Sequence, residues 1–353
     1  MLNWYDVTQD DLAALIQGWG QPSFRTKQVW GWLYERLAAS VEDMTDLPKP
    51  LREKLRSEGT IGTLELVTGQ QSKDGTEKRL YRLPDGRLIE SVLMVYEDGR
   101  RTACISTQSG CAMGCVFCAT GQMGFFRHLT ATEIVEQALA FARELNQRGE
   151  RLSNVVLMGM GEPFHNYDAS LSAIRRLIND LGIGARHITV STVGMVPQIR
   201  QFAEEGLQVT LAISLHAAND TARGALLPVN RRWPLSDLIA ACHHYVKKTG
   251  RRVTFEWALI HGQTDTQIQA HELAKLLRGM LCHVNVIPLN PTRGFAGSPS
   301  EIAAANNFIA ILHDYNISAT VRIRRGIDID AGCGQLTTRY IQPNDIPSVV
   351  EMP

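Results

Sequence analysis

Three cysteines, Cys111, Cys115 and Cys118, stand close together directly after a predicted β-strand. Three thiolates at this spacing can wrap one corner of a cubane iron–sulfur cluster, and supplying three ligands instead of four leaves one iron open to a non-protein ligand. That open iron is where chemistry would take place. Two alternatives remain open: a zinc knuckle and a set of inert buried thiols. A zinc knuckle would need a fourth Cys or His nearby, and His128 is too distant for the usual spacing.

The spacing C-x3-C-x2-C, with the aromatic Phe117 immediately before the last cysteine, resembles the cluster motif of the radical S-adenosylmethionine (SAM) enzymes. In that superfamily the open iron holds the amino and carboxylate groups of SAM. One electron from the reduced cluster then cleaves the sulfonium and yields a 5′-deoxyadenosyl radical. The resemblance therefore implies a 4Fe-4S cluster on Cys111, Cys115 and Cys118, with SAM as the second cofactor.

Polar residues also follow four of the predicted strands. The run Gly159-Met160-Gly161-Glu162-Pro163 has glycines that let the backbone approach a ligand closely, and its proline fixes the exit of the chain. It resembles the GEP motif of radical SAM enzymes, whose backbone binds the methionine ammonium. A lone polar residue at a strand end is more often a loop or cap residue, but four groups on one rim favour ligand binding. The predicted cofactor-binding residues are Phe117, Gly161, Glu162, Pro163, Ser191, Ser214, Leu215, His216 and Asn290.

The elements that must position these residues change character along the chain. Residues 8–58 carry apolar positions at helical spacing, interrupted at 18–22 and 48–50, and predict a small helical domain. Asp-Gly dipeptides, which are typical of hairpin turns, follow at 74–75, 85–86 and 98–99. They separate predicted strands at 63–68, 77–83, 88–96 and 101–107, which we interpret as a β-meander.

From residue 101 onward, predicted strands alternate with amphipathic helices. The strands are at 103–107, 154–160, 187–193, 209–216, 253–260, 284–289 and 320–324, and examples of the helices are 130–147, 169–181, 234–249 and 265–280. This alternation predicts an α/β fold with a parallel sheet, and the number of units suits a partial (β/α) barrel, although an open doubly wound sheet also fits. In either fold, ligands bind at the carboxyl ends of the strands.

The composition fits a soluble, cytoplasmic enzyme. The chain has 353 residues, 44% of them hydrophobic, which suffices for one large core and a small extra domain. We find no apolar run near the roughly twenty residues needed to span a membrane, and no secretion signal at the N-terminus. Seven cysteines, an odd number, argue for a reducing compartment. Because the formal net charge is zero, a nucleic-acid surface would have to be a local patch.

Two further cysteines narrow the resemblance. Cys104 lies on the strand before the cluster motif, and Cys333 follows the last predicted strand. With the cluster and GEP motifs, they resemble the bacterial dual-specificity ribosomal RNA and transfer RNA adenine methyltransferases. The resemblance covers nearly the whole chain, including 214–216, 227–230, 249–256 and 282–285. It implies methylation of carbon 2 of adenosine in 23S rRNA and in the tRNA anticodon loop. A sister family of antibiotic-resistance enzymes methylates carbon 8 with the same cysteines; the run 324–330 favours carbon 2.

The resemblance also implies the role of each catalytic residue. Carbon 2 of adenine is electrophilic, so an ordinary transfer of the sulfonium methyl group cannot work. In the family, one SAM methylates the residue matching Cys333, and a second yields the radical that takes a hydrogen from that S-methyl group. The carbon radical adds to adenine and crosslinks protein to RNA. Cys104 then attacks the sulfur of Cys333, and a transient disulfide forms as the base leaves. Glu90 maps onto the base that removes the adenine proton, although its pattern alone predicts an outward strand residue.

The resemblance further sets the expected domains and partners. We assign 1–60 to a helical accessory domain that binds RNA, 61–100 to the β-meander linker, 101–340 to the radical SAM barrel and 341–353 to a C-terminal tail. The expected partners are 23S rRNA, tRNA and an electron donor such as flavodoxin, with no membrane, and the chain is expected to be a monomer. Candidate RNA-binding residues are Arg25, Lys27, Trp30, Arg231, Arg232, Trp233, Lys247, Lys248, Arg251, Arg252, Arg322, Arg324 and Arg325.

Two readings from other classes stay open at this point. A radical SAM enzyme with a non-RNA substrate would share the cluster and GEP motifs but would need neither Cys104 nor Cys333. A non-catalytic iron–sulfur protein would not cleave SAM at all. The remaining cysteines, Cys242 and Cys282, are predicted to be packing thiols.

Overall fold

The computed structural model describes residues 1–338, so the predicted tail at 341–353 lies outside the described residues. The N-terminal elements are β1 (Leu2–Asn3), α1 (Gln9–Gly18), α2 (Phe24–Tyr34), α3 (Lys49–Glu58) and β2 (Gly59–Thr60). Strands β1 and β2 pair in parallel and bring the two ends of this helical unit together. Helix α1 is capped by Thr8, whose hydroxyl accepts the N–H of Asp11 and so satisfies a backbone donor of the first turn.

A ten-stranded sheet forms the body of the molecule. The remaining strands are β3 (Glu65–Gln71), β4 (Glu77–Arg82), β5 (Leu88–Val95), β6 (Arg101–Cys104), β7 (Gln108–Gly110), β8 (Phe125–His128), β9 (Asn154–Leu157), β10 (Ile188–Thr192), β11 (Thr210–Ser214), β12 (Val253–Leu259), β13 (Cys282–Pro288) and β14 (Ser318–Val321). The order in the sheet is β14-β13-β12-β11-β10-β9-β6-β5-β4-β3. Strands β3 to β6 are antiparallel neighbours, whereas β6 and β9 to β14 are all parallel.

The predicted α/β fold with a partial barrel is confirmed. Helix α4 (Ala119–Gln122) lies in the loop between β7 and β8, and the other helices connect the parallel strands: α5 (Ala131–Gln147), α6 (Tyr167–Asn179), α7 (Val196–Glu204), α8 (Asp220–Leu226), α9 (Leu235–Thr249), α10 (Gln267–Leu276) and α11 (Ile302–Asp314). The sheet is open, because within residues 1–338 no pairing joins its outer strands β3 and β14. Among the described helices, none is both long enough and apolar enough to cross a membrane.

Buried polar contacts fix the helical unit to the sheet domain. The Glu136 carboxylate on α5 accepts the backbone N–H groups of Thr63 (2.8 Å) and Leu64 (3.0 Å), just after β2. The Arg176 guanidinium on α6 donates to the Tyr5 carbonyl and to the Tyr34 hydroxyl, both at 2.6 Å. Burial raises the pKa of Tyr34 to about 12, so its hydroxyl stays protonated. The N-terminal unit is therefore held against α5 and α6.

One local element departs from the sequence-based expectation. The strand predicted at 101–107 ends at Cys104, and a separate two-stranded hairpin follows, in which β7 pairs antiparallel with β8. Strands of three or four residues are too short for an alternating pattern to identify them. This hairpin carries the cysteine loop between its two strands.

Candidate active site

The cysteine loop is fixed at both ends by backbone hydrogen bonds. The N–H of Cys111 donates to the Gly124 carbonyl (2.8 Å) at one end, and the N–H of Ala119 donates to the Gly334 carbonyl (2.7 Å) at the other. A Cβ on Gly110 would lie 2.1 Å from the same Gly124 oxygen, so only glycine fits at that position. The loop is therefore tied both to its own hairpin and to the segment that carries Cys333.

The three thiols of the loop are enclosed by protein. Burial raises the pKa of Cys111, Cys115 and Cys118. A negative charge on a neighbouring cysteine would raise each of these pKa values further. Three adjacent buried thiolates need positive charge nearby, and a bound iron–sulfur cluster would supply it. Within residues 1–338, no group of three or more Cys, His, Asp or Glu is placed to hold a single metal ion.

The thiols open into a cavity of about 990 Å³, which we call the cluster cavity. It lies at the carboxyl ends of the parallel strands, as predicted. The predicted residues that line it are Cys111, Cys115, Phe117, Cys118, Gly161, Glu162, Pro163, Ser191, Ser214, His216 and Asn290. Leu215 is the exception: its side chain is fully buried in the hydrophobic core instead.

The GEP run is a glycine-dependent turn beside the cluster cavity. Gly161 has φ +101°, and a Cβ there would lie 2.6 Å from the Cβ of Gln108. The Glu162 carboxylate accepts the N–H groups of Phe164 (3.0 Å) and Val193 (2.8 Å), so it joins the ends of two strands. Burial raises the pKa of Glu162 to about 7, and these hydrogen bonds partly oppose that shift.

His216 and Asn290 present opposite hydrogen-bonding groups to the cavity. The His216 Nδ1 accepts the N–H of Ala258 (2.9 Å), and burial lowers the pKa of the ring to about 3. The ring is therefore neutral, with its proton on Nε2. The Asn290 amide donates to the Cys333 carbonyl (3.1 Å), while its Oδ1 is buried and has no partner within the described residues. An unpartnered buried acceptor is costly, which fits a site that receives a ligand.

Cys104 and Cys333, distant in sequence, meet in a second cavity, which we call the dithiol cavity. Its space is about 720 Å³, and Cys104, Cys118 and Cys333 all line it together with Met158 and Arg322. Cys333 and Arg322 line the cluster cavity as well, so Cys333 lies where the two cavities join. Burial raises the pKa of Cys104 to about 12; a negative Cys333 would add to the shift, and Arg322 opposes it.

Glu90 is not among the residues that line either of these cavities. It is buried on β5, where its carboxylate forms an ion pair with Lys78 (3.4 Å) and accepts the N–H of Thr337 (2.8 Å). Residues alternate between the two faces of a strand, so Glu90 shares a face with Val92 and Met94, which do line the dithiol cavity. Glu90 therefore lies on the strand face that borders the dithiol cavity, but it does not line the cavity itself.

The sequence did not single out Glu256 or Asn285 as individual site residues. In the sheet register Ser214 is the partner of Glu256, which is in turn the partner of Asn285. The Asn285 amide donates to the Glu256 carboxylate (2.8 Å), and Glu256 lines the cluster cavity. Burial raises the pKa of Glu256, and Arg322 opposes the shift. Ser214, Glu256 and Asn285 are neighbours only because of the way their strands align in the sheet, and no local pattern in the sequence reports that alignment.

Comparison with known proteins points the same way. The Radical SAM superfamily profile matches residues 105–274, and the Ribosomal RNA large subunit methyltransferase N-terminal domain matches residues 2–61. "Dual-specificity RNA methyltransferase RlmN 1" of Myxococcus xanthus (strain DK1622) is 53% identical over 95% of this chain and 94% of that protein. "Probable dual-specificity RNA methyltransferase RlmN" of Chloroflexus aurantiacus is 49% identical over 96% and 93%. A solved radical SAM methyltransferase from Sphaerobacter thermophilus is 50% identical, with a TM-score of 0.91 over 95% of this chain and 99% of that one.

Proposed function

Because the chain belongs to the RlmN family of dual-specificity RNA methyltransferases, we propose that it methylates carbon 2 of adenosine in 23S rRNA and in the tRNA anticodon loop. It is a radical SAM enzyme, and the family works with a 4Fe-4S cluster and SAM. The observation that carries the proposal is the meeting of Cys104 and Cys333 in one cavity that also reaches Cys118. A radical SAM enzyme acting on another substrate class would have no need of this pair.

The cluster cavity would hold both cofactors. Cys111, Cys115 and Cys118 would bind three irons, and the backbone of the GEP run would receive the methionine ammonium of SAM. The Nε2–H of His216 and the free Oδ1 of Asn290 would give SAM a donor and an acceptor. When bound, the cluster would supply the electron that cleaves SAM and take one back from the RNA adduct.

Cys333 would carry the methyl group between the two cavities. Its position at their junction lets its sulfur face SAM on one side and the adenine on the other. The hydrogen bond from Asn290 to the Cys333 carbonyl holds the backbone of this residue close to the proposed SAM site. The Cys333 sulfur would accept a methyl cation equivalent from the first SAM, and its S-methyl group would then lose one hydrogen atom.

The dithiol cavity would receive the flipped adenine. Its walls include the apolar side chains of Val92, Met94 and Met158, which suit the faces of a base. After the methylene radical on Cys333 adds to carbon 2, the adduct loses one electron and the carbon 2 proton, which Glu90 would accept. The product of these steps is a methylene bridge from the Cys333 sulfur to the adenine.

Cys104 would break this bridge. Its thiolate attacks the Cys333 sulfur, the sulfur–carbon bond breaks, and its electron pair stays on the methylene, which takes a proton to become the methyl group. Both sulfurs are oxidised to a disulfide, and the base leaves.

The RNA would approach over basic side chains around the opening of the dithiol cavity. Arg324 and Arg325 line that cavity, and the Arg325 guanidinium lies over the Tyr96 ring at 4.3 Å. Lys248 is a weaker candidate, since it pairs with Glu204 at 2.6 Å. We assign residues 1–60 to RNA binding, and we expect a monomer that works in the cytoplasm with an electron donor such as flavodoxin.

The test is methylation of defined RNA by the reconstituted holoenzyme. Purified chain with cluster, SAM and a one-electron reductant is incubated with a 23S rRNA fragment and an anticodon stem-loop, and digested nucleosides are identified by mass spectrometry. We expect 2-methyladenosine from both RNAs and none with Cys333→Ala. Formation of 8-methyladenosine would place the chain with the sister activity, and cleavage of SAM without methylated RNA would refute the proposal.

A further inference from the structure

Gln108 connects the GEP turn to two histidines through one buried carboxamide. The residue lies on β7 and has no solvent exposure. Its Oε1 accepts the N–H of Glu162 (2.8 Å), and its Nε2 lies 3.0 Å from Nδ1 of His128 and 3.1 Å from Nδ1 of His165. Every polar atom of the carboxamide is therefore used.

The contact with the Glu162 backbone fixes the direction of the two hydrogen bonds to the histidines. A backbone N–H can only donate, so the carboxamide atom facing Glu162 must be the oxygen. The atom facing the histidines is then the NH₂ group, which has two hydrogens and no acceptor capacity. Both Nδ1 atoms must accept, and each imidazole must be neutral with its proton on Nε2.

We propose that Gln108 is a positioning residue of the SAM site, which holds the GEP turn in its binding conformation only while His128 and His165 are both neutral. The proposal rests on the proposed function for the identity of the ligand. Protonation of either ring would place an Nδ1–H against the NH₂ group. Turning the carboxamide over would relieve that contact but would set NH₂ against the N–H of Glu162, so Gln108 cannot satisfy both sides.

The packing leaves the turn little room to adapt. The Cβ position of Gly161 is 2.6 Å from the Cβ of Gln108, and the Gln108 N–H also donates to the Met160 carbonyl (3.2 Å). The N–H of His165 in turn donates to the Glu162 carbonyl (3.1 Å). A shift of the carboxamide therefore moves the backbone on both sides of Glu162.

Other charged groups near the two histidines have their own partners. Arg127, next to His128, forms ion pairs with Asp85 and Glu133. The Glu162 carboxylate accepts from Phe164 and Val193, away from Gln108. The two rings also contact each other, at 4.9 Å between centroids, and burial lowers the pKa of both. The neutral state that Gln108 requires is thus the state that burial favours, and it is lost only when the pH falls below the lowered pKa values of the two rings, which lie under the ordinary value of about 6.5.

Two substitutions separate positioning from simple structural support. Gln108→Met fills the space but leaves the Glu162 N–H without an acceptor, so the Kd for SAM should rise roughly ten-fold at every pH, the effect of losing one buried hydrogen bond. Gln108→Glu keeps the acceptor for Glu162 and presents a second oxygen to the histidines, which their Nδ1–H tautomers or protonated rings can satisfy.

The experiment measures SAM binding to the cluster-loaded protein from pH 5.5 to 8, with iron content determined at each pH. We expect wild-type affinity to fall at the acidic end and Gln108→Glu to lose that fall. Both proteins keep Glu162, and the NMR signals of the two rings report the histidine titration separately from it. Unchanged SAM affinity in Gln108→Met, or the same acidic fall in Gln108→Glu as in wild type, would overturn the proposal. Failure of wild type to bind SAM at all would instead refute the proposed function.

Nitrogen NMR of histidine-labelled holoenzyme gives a readout that is independent of SAM. In wild type at pH 7.5, the signals lost in His128→Asn and His165→Asn should be those of neutral rings protonated on Nε2. In Gln108→Glu the proton should move to Nδ1. Nδ1-protonated rings in wild type would contradict the inference, whatever the binding data show.

Discussion

The cluster cavity and the dithiol cavity are built in different ways although they share a wall. The GEP turn of the cluster cavity is set by glycine geometry and by backbone hydrogen bonds, in which Gln108 and Glu162 tie neighbouring strand ends together. The dithiol cavity instead gathers side chains from distant segments: Cys104 from β6 and Cys333 from the loop after β14. In the proposed function, the first would hold a ligand in one pose, and the second would bring two thiols to the same substrate.

The largest expected effect is on the cluster cavity. Replacing Cys118 by Ala removes one of three protein ligands, so the brown absorption of the cluster and all methylation should disappear. The same holds for Cys111 and Cys115. Iron content and absorption of the purified variants measure this, and Cys282→Ala, which removes a thiol outside both cavities, should keep its iron. Full iron retention in any of the three variants would remove the basis for the cluster assignment.

In the dithiol cavity, Cys104→Ala should leave the cluster intact and stop the reaction after the bridge to adenine has formed. Cluster assembly and methylation of Cys333 do not use Cys104, so the bridge to adenine should form and remain. The purified variant should carry RNA that survives denaturation and is trimmed by nuclease to one attached nucleotide.

The control for Cys104→Ala is Cys242→Ala, which removes another buried thiol of the core. It should lose stability on the order of 1 kcal/mol and trap no RNA. Denaturing gels with and without nuclease distinguish the two. A Cys104→Ala protein that is free of RNA and still turns over would refute the two-cysteine mechanism.

Glu90→Gln should produce a smaller loss, because the base acts on one step only. We expect methylation to slow by about 100-fold, the usual contribution of a positioned base. Since removal of the carbon 2 proton would then limit the rate, adenosine deuterated at carbon 2 should show a larger isotope effect than with wild type. Lys78→Met breaks the same ion pair but keeps the carboxylate, and it should leave the isotope effect unchanged. Equal isotope effects in Glu90→Gln and wild type would assign Glu90 a structural role.

The two cavities also differ in how far the sequence could predict them. The proposed cluster ligands and the GEP turn lie in short continuous motifs, so their residue types and spacing alone predict a site there. Leu215 belongs to the same motif as His216, yet alternation along the chain turns it into the core. Glu256 and Gln108 were not recognised because each resembles an ordinary strand residue, and only the neighbouring strand or hairpin gives it a function.

Prediction of the fold from local sequence patterns is limited in the same way. Helical periodicity and Asp-Gly turns predicted the helical unit, the meander and the parallel strands. The Asp-Gly turn at 98–99 predicted the pairing of β5 with β6, but no local pattern could show that β6 pairs in parallel with β9, which lies far away in the sequence. The short β7–β8 hairpin carries too few residues for a pattern.

The smallest effect we expect concerns the charge on Glu162, which lines the cluster cavity. Burial raises its pKa from 4.5 to about 7, so the folded protein holds this proton more tightly than the unfolded chain does. The associated stability is complete below pH 4.5 and is lost as the pH rises through 7. Glu162→Gln cannot titrate, so its unfolding free energy relative to wild type should rise between pH 5 and 8, by at most on the order of 3 kcal/mol. Urea unfolding of cluster-free protein at both pH values measures the difference. A constant difference would mean that the hydrogen bonds from Phe164 and Val193 offset the burial, leaving the carboxylate ionised throughout.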